Sequence, residues 1–125
     1  MNITKQYLAG IIDGEGFIWI GKKKDTRIKR GFTLRYRVKI TNQHKGLLEA
    51  IKEKYGGRLC LKKNQKECWD LIIYTKQEIM LILKDILPYL IVKKEIATKL
   101  FELLKQRKKQ YQGKRLSEEI INEYR

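Results

Sequence analysis

Apolar residues recur at helical spacing at the start of the chain, and beyond residue 16 the period falls to two. From Ile3 to Ile12 the spacing predicts a helix with Ile3, Tyr7, Gly10, Ile11 and Gly14 on one stripe and Leu8 and Ile12 beside it. So little of its circumference is left for water that the helix is expected to be central. Gly10 and Gly14 stand four apart on one face, which lets a second helix come closer than the usual separation of roughly 8 to 10 Å. Each glycine costs about 1 kcal/mol relative to alanine, and close packing is the expected compensation. Gly14 and Gly16 end the helix and leave Glu15 beside its unpaired carbonyls. The helix dipole is negative there, so it disfavours a bare carboxylate and favours a bound cation.

Phe32 to Thr41 alternates strictly, with Phe32, Leu34, Tyr36, Val38 and Ile40 facing a core and Thr33, Arg35, Arg37 and Lys39 facing outward. Phe17 to Lys23 is its antiparallel neighbour: Ile18 and Ile20 fit the core side, and Phe17, Trp19, Gly21 and Lys23 the outer side. A helix from about Lys45 to Tyr55 buries Leu47, Leu48 and Ile51 and stops at Gly56-Gly57. Arg58 to Lys63 and Cys68 to Tyr74 form a second hairpin. In it Leu59 and Leu61 alternate with Arg58, Cys60 and Lys62, and Trp69, Leu71 and Ile73 with Asp70, Ile72 and Tyr74. Thr75 and Glu78 have capping-box spacing and open a helix through Ile79, Ile82, Leu83 and Ile86, ended by Pro88. A further helix, about Lys93 to Gln110, carries Ile96, Leu100, Leu103 and Leu104 inward until Gly113 breaks it. Ser117 caps a last short helix, to which the sequence assigns no role. The result is an α+β chain of order αββαββα, extended by helices.

Composition adds a partner. Lys and Arg number 29 against 14 Asp and Glu, a formal net charge of +15 that points to a polyanion. The connection from Lys22 to Arg30 and the outer faces of both hairpins carry most of the pattern. Trp19, Lys23, Arg27, Lys29, Arg30, Thr33, Arg35, Arg37, Lys39, Arg58, Cys60, Lys62, Asp70 and Ile72 are the candidate DNA-binding positions. A curved antiparallel four-stranded sheet of this kind suits the major groove, where Arg and Lys reach guanine edges and phosphates. For Phe17 and Trp19 a subunit contact and a DNA contact stand as equal alternatives. A length of 125 residues suits one domain, with a core over about 4–104 and a helical extension over 113–125. No apolar run approaches the roughly 18 residues of a membrane span, and no signal peptide precedes the first helix, so an intracellular site is expected, in cytoplasm or organelle. His44 has no second histidine for a zinc site, and capping or a DNA contact suits it better. Cys60 and Cys68 flank the tip of the second hairpin, where they could oppose one another, and in an intracellular setting they are expected to be thiols.

The segment Leu8-Ala9-Gly10-Ile11-Ile12-Asp13-Gly14-Glu15-Gly16 resembles the signature of the LAGLIDADG homing endonucleases. The resemblance implies that paired signature helices form an interface and that the last acid of each binds a catalytic metal. Glu15 is that acid here, where aspartate is more usual, and the Gly14 carbonyl joins it as a metal ligand. Pro88 to Lys94 is similar to the segment around the family's active-site lysine, which matches Lys93. Asn42, ahead of Gln43, matches a polar residue that holds water near the metals. Only one signature is present, so the second helix must come from another subunit, giving a homodimer with Tyr7, Gly10, Ile11 and Gly14 at its seam. Two Glu15 carboxylates brought together there cannot both ionise cheaply without metal.

The implied activity is hydrolysis of both strands of a long, roughly palindromic DNA site across the minor groove, leaving short 3′ overhangs. Mg²⁺ is the implied cofactor, with Mn²⁺ as its substitute, and the reading frame is expected inside an intron. Asp13 reads as a structural hydrogen-bonding acid. Two other classes stand against this reading. One is a non-cutting nucleic-acid binder of the same fold, a DNA-binding regulator or an intron-splicing maturase with intron RNA as partner. The other is a basic structural protein, which has no use for a glycine-notched helix ending in an acid.

Overall fold

A computed structural model describes residues 2–24, 31–62 and 67–110. Thr4 opens the first helix, its hydroxyl accepting from the Tyr7 N–H at 3.1 Å, and α1 runs Lys5–Glu15. The chain then enters β1, Gly16–Lys24, and returns as β2, Phe32–Asn42. Helix α2 spans Lys45–Tyr55, the second hairpin is β3, Arg58–Leu61, with β4, Trp69–Ile73, and α3 spans Lys76–Ile86. A single 3₁₀ turn, Leu87–Tyr89, takes up Pro88 before α4, Lys94–Gln110. The expected αββαββα order and α+β class are both present. Gly113, the helix expected after Ser117 and the connection over 25–30 lie outside the described residues.

The four strands form one antiparallel sheet in the order β1-β2-β4-β3. β1 pairs along β2 from Gly16 opposite Ile40 to Lys24 opposite Phe32, whereas β4 pairs with β2 only from Val38 to Asn42. The first hairpin therefore projects beyond the second. Ile18, Leu34, Val38, Ile40, Leu71 and Ile73 are buried beneath the helices, as alternation requires. Leu48 and Ile51 of α2, Ile79, Ile82, Leu83 and Ile86 of α3, and Leu100, Leu103 and Leu104 of α4 close that core from the other side. Ala97 joins them, a position too small to show in the periodic pattern.

Local chemistry fixes the element ends. Gly56 and Gly57 hold φ of 88° and 101°, which L side chains rarely adopt, and a side chain at Gly56 would overlap the Glu78 carboxylate. The Thr75 hydroxyl accepts from the Glu78 N–H, the N-cap half of the expected box, and donates to the Glu78 carboxylate at 2.8 Å. At the N-terminal end of α1, the Tyr55 hydroxyl donates to Asp85 at 2.7 Å and Lys5 lies 3.7 Å from the same carboxylate. Burial, followed by the hydrogen bond to Asp85 and then the Asp85 charge, pushes the Tyr55 hydroxyl well above the ordinary tyrosine range.

Three expectations need correction. Helix α1 is covered on one side only, with Leu8, Ala9 and Ile12 buried, while Tyr7 is 58% exposed and Gly10 and Gly14 are open. The helix is central only if something covers that second face. Leu61 is exposed, because β3 is an edge strand and Leu61 its last paired residue, opposite Trp69. Cys60 and Cys68 are free thiols that do not oppose one another, since the register sets Cys60 against Asp70.

Candidate metal centre and nucleic-acid interface

Glu15 is the last residue of α1, and the next N–H, from Gly16, closes the helix on the Ile12 carbonyl. A Cβ at Gly16 would lie 2.8 Å from the Ile12 backbone, so only glycine permits the turn from helix end into β1. That turn leaves the Glu15 side chain exposed at the junction of helix and sheet. Asn42, at the end of β2, donates from Nδ2 to Glu15 Oε2 at 3.2 Å. The Asn42 Oδ1 accepts from the His44 N–H at 2.8 Å, which fixes which way the amide points. His44 itself caps α2, with Nδ1 accepting from the Leu47 N–H at 3.0 Å. The histidine thus takes the capping role, one of the two alternatives expected for it. Of the two polar candidates, the structure brings Asn42 to Glu15; the neighbouring Gln43 is exposed.

The other side of the helix end is built by residues about eighty positions away. Asp13 accepts from the Ile91 N–H at 2.7 Å and from the Lys93 N–H at 2.9 Å. Lys93 in turn reaches the Asp13 carbonyl with Nζ at 2.6 Å. An ammonium thereby satisfies one of the last carbonyls of α1 and offsets the negative end of its dipole. Partial burial works to raise the Asp13 pKa, but the N–H groups of Ile91, Lys93 and Val92 and the Lys93 charge outweigh it, leaving the carboxyl below its ordinary value. Asp13 is therefore a structural acid with both oxygens engaged, as anticipated.

A pH test follows. A depressed carboxyl contributes stability that is present in full above the unfolded-state value and is lost as pH falls through the folded one. Asp13→Asn should lower stability at pH 7 by about 1 kcal/mol. Denaturant titrations across pH should show that deficit shrinking below the ordinary aspartate value of about 3.9. A deficit independent of pH would show that geometry, not charge, matters at this position.

Beside Glu15 the open face of α1 forms a shallow groove lined by Gln6, Tyr7, Gly10, Ile11, Gly14 and Asn42. Nothing lies within 4 Å of where a Cβ would stand at Gly10 or Gly14. The outer face of the sheet begins at the same junction. Phe17, Trp19, Arg35, Arg37, Lys39, Arg58, Cys60, Asp70 and Ile72 share it by register. The Arg37 guanidinium lies 5.1 Å from the Trp19 ring centre and the Lys39 ammonium 5.9 Å from that of Phe17. Both aromatic residues thus lie among the cations of the sheet. Thr41, which the sequence reading passed over, donates to Asp70 on this face and occupies one oxygen of its carboxylate. Thr33 and Lys62 are half-buried at the margins. The Lys23 side chain and residues Arg27, Lys29 and Arg30 lie outside what the structure describes.

Among the described residues no three His, Cys, Asp or Glu side chains gather as a metal cluster. A single chain offers Glu15 and helix-end carbonyl oxygens, a hard donor set that suits Mg²⁺ or Ca²⁺ yet leaves most of a coordination shell to other molecules. No helix among the described residues is long and apolar enough to cross a membrane.

The chain is similar to several solved structures. The I-LtrWI LAGLIDADG homing endonuclease bound to target DNA superposes with a TM-score of 0.77 at 26% identity, covering 98% of this chain and 42% of that one. The archaeal intron-encoded homing endonuclease I-Vdi141I complexed with DNA gives 0.70 at 27% identity, covering 81% and 66%. The group I intron-encoded homing endonuclease I-CeuI complexed with DNA gives 0.75 at 21% identity, covering 90% and 61%, a likeness of fold. The chain thus spans less than two thirds of the length of these proteins, or about that. No curated protein sequence matches it. The family model for LAGLIDADG endonucleases matches residues 8–108, which include the glycine-notched helix, both hairpins and Lys93. By that match the chain belongs to the LAGLIDADG endonuclease family.

Proposed function

We propose that the chain is a site-specific DNA endonuclease that works as a homodimer with divalent metal and cuts both strands of a long, roughly palindromic site. The observation that carries this reading is the convergence at one helix end: Glu15 oriented by Asn42, Lys93 anchored on the Asp13 carbonyl, and an open glycine stripe leading up to both. A twofold pairing of α1 along Tyr7, Gly10, Ile11 and Gly14 brings a second Glu15 alongside the first.

Glu15 and the Gly14 carbonyl would hold the divalent ion, with DNA phosphate oxygens and water supplying the remaining ligands. A bound Mg²⁺ lowers the pKa of a water and offsets the charge that gathers on the phosphate as it is attacked. Asn42 keeps the Glu15 carboxylate aimed at that place and presents a polar group near the attacking water; Gln43 is the adjacent alternative. Lys93 stabilises the developing negative charge or passes a proton to the leaving oxygen. The sheet holds the duplex by Arg35, Arg37, Lys39 and Arg58, together with the cations of the first hairpin. If each subunit sets about five cations on phosphates, log K falls with log salt at a slope near −9.

Incubating the purified protein with a library of plasmid targets in Mg²⁺, Mn²⁺ or EDTA tests the proposal. Double-strand cuts at defined sites in either metal, and none in EDTA, are expected. Sequence-specific binding without cutting under any condition would replace this reading with that of a regulator or a splicing factor.

A further inference from the structure

The outer face of β1 carries an arrangement that alternation alone does not explain. Trp19 and Gly21 are successive outward positions, and a Cβ at Gly21 would overlap the six-membered ring of Trp19. The indole therefore lies flat along its own strand and occupies the space above Gly21. Across the strand pair Trp19 faces Arg37, whose guanidinium carbon lies over the ring, 5.1 Å from its centre, while Gly21 faces Arg35. Trp19 is half-buried and Arg37 exposed, so the ring forms a floor and the guanidinium lies open above it. Lys39 has a similar relation to Phe17, but at 5.9 Å and with a compact ammonium that has no plane to stack.

We infer that Trp19, seated on Gly21, is a positioning residue for Arg37. It holds the guanidinium plane ready to donate two parallel hydrogen bonds to the O6 and N7 of one guanine in each half-site. The inference rests on the DNA-binding reading above. A free arginine must give up rotamer freedom to present its fork, and a stacked one has already given up part of it. The stack costs no donor, because a guanidinium over a ring face keeps its edge N–H groups free. A ring lying flat on its own backbone cannot wedge between base steps, so residue 19 acts through Arg37. Gly21 belongs to the device, since any side chain there lifts the indole from the strand.

The test uses a randomised double-stranded DNA pool, bound in Ca²⁺ so that cutting does not intrude, with selection and sequencing for the full-length protein and its variants. Arg37→Ala first identifies the symmetric pair of positions that this side chain reads, and Arg35→Ala a second pair. Trp19→Leu and Gly21→Ala should each weaken guanine preference at the Arg37 pair by about fivefold. Preference at positions read by neither Arg37 nor Arg35, which faces Gly21, should stay unchanged. Trp19→Phe, which keeps a ring, should retain most of the preference. A Trp19→Leu profile identical to wild type, or one weakened equally at every position, overturns the inference. Should Trp19→Leu fail to fold, Gly21→Ala carries the same test, because it displaces the ring without deleting it. A wild-type protein with no base preference at all would instead overturn the DNA-recognition reading on which this one stands.

Discussion

Glu15→Gln is expected to abolish metal-dependent cutting, by about a thousandfold or more in rate, while target binding without metal and thermal stability stay near wild type. Stability is retained because the glutamine carbonyl can still accept the Asn42 amide hydrogen bond, and the side chain lies at an exposed helix end. What is lost is the negative charge of Glu15, whose Oε2 accepts from Asn42, at a helix end where Asp13 has both oxygens engaged by backbone N–H groups. Plasmid cleavage in Mg²⁺ beside a gel-shift assay in EDTA separates the two effects. Binding that fell together with cutting would show Glu15 to be structural, and unchanged cutting would remove it from the centre altogether.

The fold was largely legible because its cues are local. A period of two marked the outer and inner faces of β2 residue by residue, and Thr75 with Glu78 marked the start of α3. The site was legible only in part, because it is assembled across the chain. Asn42 meets Glu15 over a separation of 27 residues, and Asp13 meets Ile91 over 78. No periodic pattern encodes such pairs; only the resemblance named Asn42 and Lys93 together. Alternation placed Trp19 outward, but not that its ring lies down over Gly21, since the preference for a face does not fix a rotamer. The periodicity of α1 was misleading for a different reason. It detects apolar and small residues alike and cannot tell a face that is already covered from one that awaits a partner.

Gly10→Leu should weaken self-association while making the lone chain more stable. Leucine has the higher helix propensity, by close to 1 kcal/mol, and nothing within 4 Å opposes a side chain at Gly10. In a twofold seam the same leucine intrudes twice. At about 1 to 3 kcal/mol for each overpacked copy, the dimer dissociation constant rises at least 30-fold. Analytical ultracentrifugation set against chemical denaturation reads both quantities. A variant that stays dimeric, or that loses stability instead of gaining it, would show that α1 does not pair along this stripe.

The side of α1 bearing Leu8, Ala9 and Ile12 is fully packed within one chain. If the protein works as the proposed homodimer, folding would not wait for a companion, and newly made copies would persist as folded but idle molecules until two met. On the proposed mechanism, cutting in dilute solution should then rise with the square of protein concentration and become linear once most copies are paired. A cell expressing little of the protein would be guarded against breaks in its own genome by mass action alone.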